Sequence, residues 1–440
     1  MRLSTKRFPA LAFAGLACAS LAFAQDHWVA TWTAAPQSAR GGAQPPQAAA
    51  PPGANPAPAP AAPQPGAQFR NGFNNQTVRM IVHTSIGGRR VRIQLSNAHG
   101  VAPLAIAAAH IAIRSENSEI VPASDRALSF NGKTSCTIPP GALIVSDPVD
   151  LDVAQVSDLA ISLFVPGETG PPTIHNLGLH TTYISKEGDL TAQAMIPDAS
   201  TSQSWYWLSS VDVLAPANAA TLVTFGDSIT DGARSTPNAN HSWPSVLALR
   251  LLSNRGTANI AVANEGIAGN RVLEDSQGVS ALARFDRDVL AQAGVKWVTV
   301  LEGINDIGSH TRAEAPSGEA LLSADDVIAG LRQIAERAHT HGLKVIGCTL
   351  TPYQGAAYYS DKGESIRQNV NRWIRTGGAF DAVVDFDALT RDPNSPGHIR
   401  PEFDAGDHLH PNDAGYKAMA DAIDLSIFAP AAPAKNSSTR

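Results

Sequence analysis

The stretch Thr221-Leu222-Val223-Thr224-Phe225-Gly226-Asp227-Ser228 joins an apolar run to a glycine, an aspartate and a serine. The run predicts a buried strand, and the polar residues after it predict a turn at its carboxyl end. A serine on such a turn can act as a nucleophile, although an ordinary capping serine is the plain alternative. The stretch does not have the Gly-x-Ser-x-Gly pattern, so the nucleophile elbow of the α/β-hydrolases is not its template.

Strand and helix patterns alternate along the chain after this stretch. Further strands are predicted at 260–264, 297–301, 344–350 and 382–386. A helix between the third and fourth strands is predicted to begin after Ser323, which can form a capping box with Asp326, and to end at Gly342; another is predicted to begin at Pro244. Such alternation predicts a parallel sheet covered on both faces, with its functional site at the carboxyl ends of the strands.

The second and third of these strands are each followed by a candidate oxyanion donor. Gly266 and Gly269 follow the second strand, where a backbone N–H could face a ligand; a plain glycine-rich turn is the alternative. Asn305 follows the third strand in Glu302-Gly303-Ile304-Asn305-Asp306, and its side-chain N–H could be a further donor. Asp306 is interpreted as a helix cap.

A histidine and a carboxylate stand close together near the C-terminus, in Gly406-Asp407-His408-Leu409-His410-Pro411. Pro411 biases His410 away from helical geometry, so we expect His410 on a loop with Asp407 accepting from its ring. Serine, histidine and carboxylate are the groups that serine-nucleophile acyl transfer needs. His408 is a rival for the base or for half of a metal pair, but the sequence offers no further ligand with metal-site spacing, so no metal is expected.

The four segments, taken in order, resemble the SGNH (GDSL) hydrolase family over about 221–428. The resemblance implies a three-layer α/β/α fold with a five-stranded, flavodoxin-like parallel sheet. It implies Ser228 as nucleophile, His410 as base and Asp407 as the group that orients it. It also implies an oxyanion hole made of the Ser228 and Gly269 N–H groups and the Asn305 side chain, with Gly266 as the alternative glycine. It implies no cofactor.

The first half of the chain has a β pattern instead. Strands are predicted at 28–33, 78–83, 91–95 and 159–165, with turn residues between strands and no long helical periodicity. This favours a β-sandwich or jelly-roll domain over 25–215, followed by the hydrolase domain at 219–430. The first half resembles the β-domain that precedes the hydrolase in some secreted members of the family. Trp205 and Trp207 are expected to pack at the domain junction, and the loop 355–363 is a candidate to line or cover the site.

The ends and the composition limit the remaining possibilities. Residues 1–24 have the basic start, apolar stretch and Ala-x-Ala site of a cleavable signal peptide, which predicts a secreted or periplasmic protein with no membrane span. The net charge of −6 has no basic cluster that would indicate nucleic-acid binding. Cys136 and Cys348 are expected to be buried free thiols, and 431–440 a disordered tail.

These observations predict a secreted serine ester hydrolase that acts through an acyl-enzyme on small, aryl or carbohydrate-linked acyl esters. One alternative is an esterase specific for O-acetyl or feruloyl groups on polysaccharide. The alternative from another class is a glycan-binding protein whose hydrolase domain is inactive; the full set of catalytic residue types argues against it. The oligomeric state is not predictable from these patterns.

The tract at 45–66 is composed almost entirely of Pro, Ala, Gly and Gln, and we predict that it is disordered and dispensable because it has no packable apolar face. Replacing it with a short Gly/Ser turn should leave the melting temperature and the esterase activity nearly unchanged. A large loss of either quantity would mean that the tract packs on the fold.

Overall fold

Strand pairing divides the chain into an antiparallel region that ends at Leu214 and a parallel region that begins at Ala220. The structure is a computed structural model, and it describes residues 26–39, 67–311 and 322–428. The predicted signal peptide, the tract at 45–66 and the tail at 431–440 lie outside those residues, so these predictions stay predictions.

The antiparallel region is built from short strands. They are β1 (Trp28–Thr33), β2 (Gln37–Ser38), β3 (Gln76–His83), β4 (Gly88–Ser96), β5 (Leu104–Ile106), β6 (Ala108–Ile113), β7 (Arg126–Ala127), β8 (Cys136–Ile138), β9 (Leu143–Val145), β10 (Val149–Val153), β11 (Asp158–Val165), β12 (Thr173–His175), β13 (Thr182–Ile184), β14 (Ser200–Ser202), β15 (Trp205–Tyr206) and β16 (Leu208–Leu214). Single 3₁₀ turns lie at Ala67–Asn71 and Pro122–Ser124.

Two larger sheets in this region enclose one apolar core. The first has the order β1-β16-β4-β10, with β9 also paired to β4, and the second has the order β14-β13-β3-β11-β6-β7. Alternate residues of a strand point to the same face. Accordingly Val78, Met80 and Val82 of β3 share the core with Ile93 of β4 and Ile161 of β11. The predicted antiparallel β-sandwich architecture is therefore confirmed.

The parallel region alternates strands and helices. Its elements are β17 (Ala220–Gly226), α1 (Ser228–Asp231), α2 (Trp243–Ser253), β18 (Ile260–Gly266), α3 (Ala281–Phe285), β19 (Val295–Leu301), α4 (Ile304–Thr311), α5 (Ala324–Thr340), β20 (Lys344–Cys348), α6 (Asp361–Thr376), β21 (Ala382–Val384), α7 (Phe386–Thr390) and α8 (Asp413–Asp421). A π-helical turn follows α3 at Asp286–Leu290, and a 3₁₀ turn lies at Leu425–Phe428.

The sheet of the parallel region has five strands in the order β18-β17-β19-β20-β21. This order, with all neighbours parallel, confirms the predicted flavodoxin-like sheet. It places β17 between β18 and β19, so the chain segments that leave the carboxyl ends of these three strands are neighbours. The three sequence motifs that follow the strands therefore meet at one edge of the sheet.

Local signals in the sequence fix several element boundaries. The predicted capping box forms, because Ser323 and Asp326 each accept from the other's backbone, and α5 begins at Ala324. Gly342 follows the end of that helix with a φ of 73°, a conformation that suits glycine. The strand predicted at 382–386 is wrong at its end, because Asp385 caps α7 and stops the strand at Val384.

The two regions meet across a polar and buried interface. His175, at the end of β12, is 4% exposed, and its Nε2 lies 3.0 Å from Asp231 Oδ1 in α1. The other ring nitrogen lies 3.0 Å from the carbonyl oxygen of Ala35. A carbonyl oxygen and an ionised carboxylate can only accept, so a protonated ring satisfies both contacts by donating from both nitrogens. Burial acts to lower the pKa of His175, but the Asp231 carboxylate and these hydrogen bonds outweigh it, and the pKa is raised.

Backbone contacts reinforce the same interface. Ala30 N–H, at a bulge in β1, donates to the Ala293 carbonyl at 2.9 Å. Val262 N–H of β18 donates to Ser85 Oγ at 3.0 Å. Ala261 of the parallel sheet belongs to the apolar core of the antiparallel region. The junction is thus packed rather than a loose tether.

The two tryptophans expected at this junction have different positions. Trp205 lines a cavity of about 90 Å³ between the regions, and its Nε1 donates to the Ile81 carbonyl at 2.8 Å. Trp207 lies in the core of the antiparallel region, with its ring 5.1 Å from that of Phe73. The expectation therefore holds for Trp205 only.

Both cysteines of the described residues are free thiols, as expected, but only Cys348 is buried, and Cys136 is half-buried. Within the residues that the structure describes, no helix combines the length and apolar character needed to cross a membrane.

The buried His175–Asp231 pair predicts a pH-dependent stability. Because the pKa of folded His175 is raised above the unfolded value of about 6.5, its stabilisation is fully present below that pH and is lost as pH rises through the folded pKa. Replacing His175→Gln should therefore lower the free energy of unfolding near pH 6 by about 1.5–3 kcal/mol, and by progressively less at higher pH. Urea unfolding of both proteins between pH 6 and 9 measures this difference; a constant difference would contradict the ion pair.

Candidate active site

Each residue of the Gly226-Asp227-Ser228 turn has a separate physical role. A Cβ added to Gly226 would lie 2.7 Å from the Leu301 carbonyl oxygen, so only glycine fits at the end of β17. Asp227 is the N-cap of α1 and accepts from Ile229 N–H at 2.9 Å. Ser228 begins α1 and is 6% exposed. The turn thus presents the serine hydroxyl at the edge of the sheet.

Ser228, His410 and Asp407 form one hydrogen-bonded chain. Ser228 Oγ lies 2.8 Å from His410 Nε2, and His410 Nδ1 lies 2.9 Å from Asp407 Oδ2. A carboxylate can only accept, so Nδ1 carries the proton and the Nε2 lone pair faces the serine hydroxyl. This is the arrangement of a nucleophile, a general base and a group that orients the base.

The Asp407–His410 pair owes its geometry to a tight local turn. Asp407 Oδ1 accepts from the backbone N–H groups of Leu409 and His410 at 3.2 and 2.9 Å, which leaves Oδ2 for the ring. Arg234 Nε also donates to Oδ2, at 3.0 Å. Partial burial acts to raise the pKa of Asp407, but the hydrogen bonds from the His410 ring and amide lower it well below its usual range. The carboxylate is therefore ionised across the neutral pH range.

The second glycine-containing loop distinguishes between the two candidate glycines. Gly266 N–H is occupied, because it donates to Asn264 Oδ1 at 2.9 Å. Gly269 adopts a φ of 77°, and its N–H has no acceptor among the residues that the structure describes. Of the two glycines, Gly269 is the one whose amide is available to an oxyanion.

Asn305 is held at both ends of its side-chain amide. Its Nδ2 donates to the Asn270 carbonyl at 2.9 Å, and its Oδ1 accepts from Tyr358 Oη at 3.2 Å. The first contact uses one of the two amide hydrogens and identifies the nitrogen, because a carbonyl oxygen can only accept; the Tyr358 hydroxyl then donates to the remaining oxygen. One N–H of Asn305 therefore stays available in a defined orientation, as an oxyanion donor requires.

The interpretation of Asp306 as a helix cap is wrong, because Asp306 lies within α4 and its side chain binds a different loop. It is fully buried, and its two oxygens accept from Val272 N–H at 2.8 Å and Leu273 N–H at 3.0 Å. Burial raises the pKa of Asp306 to about 6, against the lowering effect of these hydrogen bonds. Asp306 thereby ties the start of α4, which carries Asn305, to the loop that carries Gly269.

One buried arginine connects the carboxyl ends of three neighbouring strands, β18, β17 and β19. Arg284 in α3 is 1% exposed. Its guanidinium donates to the Gly226 carbonyl at 3.0 Å, the Glu265 carbonyl at 2.7 Å, Asn270 Oδ1 at 2.9 Å, Asp288 Oδ2 at 3.2 Å and Glu302 Oε1 at 3.3 Å. The ends of β17, β18 and β19 are thus fixed relative to one another by a single side chain.

Buried acids surround this arginine. Burial raises the pKa of Asp227 to about 7, with the Ile229 N–H acting in the opposite direction. Burial likewise raises the pKa values of Glu265 and Glu302 well above their usual range. Burial therefore favours the neutral form of these three carboxyl groups, and Arg284 donates to the side chain of one of them, Glu302.

Other candidate groups lie away from the reacting atoms. His408 is 51% exposed and pairs with Asp404 Oδ2 at 2.6 Å, so it is not the base that faces Ser228. The cavity between the two regions has room for about three water molecules, and neither Ser228 nor His410 lines it. In the described ranges, no group of three or more His, Cys, Asp or Glu side chains has metal-binding geometry.

Several residues that shape the site escaped the sequence analysis. Asp306 stood in a quoted motif, but its interpretation as a helix cap did not predict its contacts with the backbone of Val272 and Leu273. Tyr358 belongs to the loop expected to line the site, and this loop indeed reaches Asn305. Arg284 and Asp231 had no local signal at all, because their partners lie far away in the sequence.

Comparison with known proteins gives one sequence match and several structural ones. Residues 222–423 match the sequence model of the family described as GDSL-like lipase/acylhydrolase. Among curated proteins, none matches the sequence significantly. A GDSL-like lipase from Bacteroides thetaiotaomicron is 21% identical with a TM-score of 0.35, and the match covers 47% of this chain and 87% of that one.

Two further solved structures are similar at the same level. An acetylxylan esterase from Geobacillus stearothermophilus is 23% identical with a TM-score of 0.37, over 47% of this chain and 93% of that one. An alpha/beta hydrolase enzyme from the metagenome of Lake Arreo is 20% identical with a TM-score of 0.37, over 48% and 95%. The matched range of the family model begins within β17 and extends beyond His410. Residues 222–423 are a hydrolase domain of the GDSL-like lipase/acylhydrolase family, and the chain is a serine esterase of that type.

Proposed function

We propose that this chain is an exported carboxylic ester hydrolase in which Ser228 is the nucleophile, His410 the general base and Asp407 the residue that orients the base. The observation that carries the proposal is the hydrogen-bonded chain from Ser228 Oγ through His410 to Asp407, with distances of 2.8 and 2.9 Å. Export rests on the signal-like pattern of residues 1–24 alone.

The reaction proceeds in two halves. His410 Nε2 takes the hydroxyl proton as Ser228 Oγ bonds to the ester carbonyl carbon, and the carbonyl oxygen becomes an oxyanion. The C–O bond to the alcohol then breaks, and the alcohol leaves with the proton from His410. A water molecule, deprotonated by His410, attacks the acyl-enzyme, and collapse of this second intermediate releases the acid and restores Ser228.

Three donors serve the oxyanion in this proposal: the N–H groups of Ser228 and Gly269 and the side-chain N–H of Asn305. Ser228 is the first residue of α1, where helix N–H groups have no partner within the helix. Asn305 is oriented in advance by Asn270 and Tyr358, so its N–H need not reorganise as charge develops.

The surroundings of the catalytic pair support a polar substrate with a short acyl group. Arg234, 61% exposed, and His408, 51% exposed, stand beside the Asp407–His410 turn. The ring of His398 lies 6.5 Å from that of His408. These three polar side chains can hydrogen-bond a polar alcohol part, for example a carbohydrate, and do not themselves provide an apolar contact for a long acyl chain.

Substitution of the nucleophile tests the mechanism. Ser228→Ala should lower kcat for p-nitrophenyl acetate by roughly 10⁴-fold or more and leave the melting temperature nearly unchanged, because the hydroxyl takes part in chemistry rather than packing. Ser280→Ala is the matched control, since Ser280 is equally buried at 6% exposure but makes no side-chain cap bond. A folded Ser228→Ala protein that keeps most of its activity would rule out the serine mechanism.

Substitutions at Asn305 and at Tyr358, whose hydroxyl orients the Asn305 amide, test the oxyanion hole. Asn305→Ala should lower kcat by roughly 10²–10³-fold, and Tyr358→Phe, which removes only the hydroxyl that orients the amide, by roughly 2- to 10-fold. Tyr359→Phe is the control, because the Tyr359 hydroxyl binds Asp361 instead. Equal activity of Tyr358→Phe and Tyr359→Phe would mean that the hydrogen bond from Tyr358 to Asn305 has no catalytic effect.

A substrate series tests the proposed specificity. Rates on p-nitrophenyl esters should fall from acetate to octanoate, and acetylated xylan should release acetate. Faster turnover of octanoate than of acetate would contradict the preference for short acyl groups while leaving the serine mechanism intact.

A further inference from the structure

The loop that carries Gly269 is held from two sides by residues of the antiparallel region. The first connection runs through Asp231. One carboxylate oxygen of Asp231 accepts from Ala268 N–H at 2.9 Å, immediately before Gly269. The other accepts from His175 Nε2 at 3.0 Å. Asp231 is itself in α1, the helix that begins with Ser228, so this carboxylate bridges the nucleophile turn and the oxyanion loop.

His175 cannot move independently of the antiparallel region. It ends β12, is 4% exposed, and donates through its other nitrogen to the Ala35 carbonyl at 3.0 Å. The orientation of the ring is therefore fixed at both nitrogens. Asp231 thus links this fixed ring to the Ala268 N–H.

The second connection runs through Gln277. Gln37 in β2 is 3% exposed, and its Nε2 donates to the Gln277 carbonyl at 2.8 Å. Gln37 Oε1 accepts from Asn176 N–H at 2.9 Å, so the amide is held at both ends. The Gln277 side chain lies against Gly269: a Cβ added to Gly269 would be 2.6 Å from Gln277 Cγ.

We propose that the antiparallel region takes part in catalysis: His175, acting through Asp231, and Gln37, acting through Gln277, are positioning residues that hold the Gly269 N–H where it can donate to the oxyanion. This inference rests on the proposed function, because it concerns the same site. A displacement of about 1 Å in a catalytic group can cost on the order of 10²-fold in rate. Neither residue touches the reacting atoms, so both should affect kcat rather than KM.

The test compares kinetic constants of the full-length protein and its variants on p-nitrophenyl acetate, below the melting temperature of each. His175→Ala and Gln37→Ala should each lower kcat by roughly 10- to 100-fold with KM within about 3-fold. His175→Gln, which can still donate to Asp231, should recover part of the loss. Active-site titration with a fluorophosphonate normalises kcat to the folded, competent enzyme.

Two matched controls lie wholly within the antiparallel region. His110 pairs with Asp125 at 2.9 Å, and Gln76 donates to the Ser185 carbonyl at 3.0 Å, and these contacts do not reach the hydrolase domain. His110→Ala and Gln76→Ala should keep kcat within about 2-fold of the wild type. If His175→Ala does not fold, His175→Gln and Gln37→Ala decide the question.

A double-mutant cycle checks the route. If His175 acts through Asp231, His175→Gln should lower kcat less in an Asp231→Asn background than in the wild type. Wild-type kcat in both His175→Gln and Gln37→Ala, or fully additive effects in the cycle, would overturn the inference. Full activity of a folded Ser228→Ala protein would instead overturn the proposed function.

Discussion

The buried guanidinium of Arg284 is the interaction on which the geometry of this site depends. It donates to backbone carbonyls at the ends of β17 and β18 and to the Glu302 side chain just beyond β19, and it lies 4.0 Å above the Phe225 ring. The donors of a buried arginine must be satisfied by hydrogen bonds, because an unpaired buried charge costs several kcal/mol. The three strand ends can therefore satisfy Arg284 only in one relative arrangement. That arrangement is the one in which the serine turn, the glycine loop and the asparagine helix face each other.

The protonation of the acids near Arg284 explains how several ionisable groups can be buried together. Glu265, Glu302 and Asp227 are buried with it, and burial raises the pKa of each. Neutral carboxyl groups avoid the repulsion that several ionised groups around one cation would create. Asp407 shows the opposite behaviour, because it is partly exposed and its hydrogen bonds lower its pKa. Asp407, which accepts from the His410 ring, is thus ionised, whereas burial favours the neutral form of the other three acids.

Local patterns in the sequence predicted the parts of this structure that short segments determine. The apolar runs gave the five parallel strands, the Ser323–Asp326 pair gave the start of α5, and the three-residue spacing of Asp407 and His410 gave their contact. Ser228, Asn305 and the pair Gly266 and Gly269 were candidates because of their places after strands, and the family resemblance favoured Gly269. The end of β21 was missed because a cap at Asp385 overrode an apolar run.

The features that the sequence did not predict depend on contacts between distant segments. Arg284 reaches Gly226, and His175 reaches Asp231, across 58 and 56 positions of the chain. The spacing of residues along the sequence does not predict such pairs, because each side chain taken alone is an ordinary polar residue. The contacts from the antiparallel region to the Gly269 loop also cross the interface between the two regions. The hydrolase motifs lie on one side of it only, so they do not predict these contacts.

The covalent intermediate is the most direct test of the account. Rapid acid quenching of the enzyme during turnover of p-nitrophenyl acetate, followed by mass spectrometry of the intact protein and its peptides, would detect it. The account predicts an added acetyl group on Ser228 that disappears when the substrate is exhausted. Acetyl transfer to a different residue during turnover, or continued hydrolysis by a folded protein without any acylated serine, would contradict it.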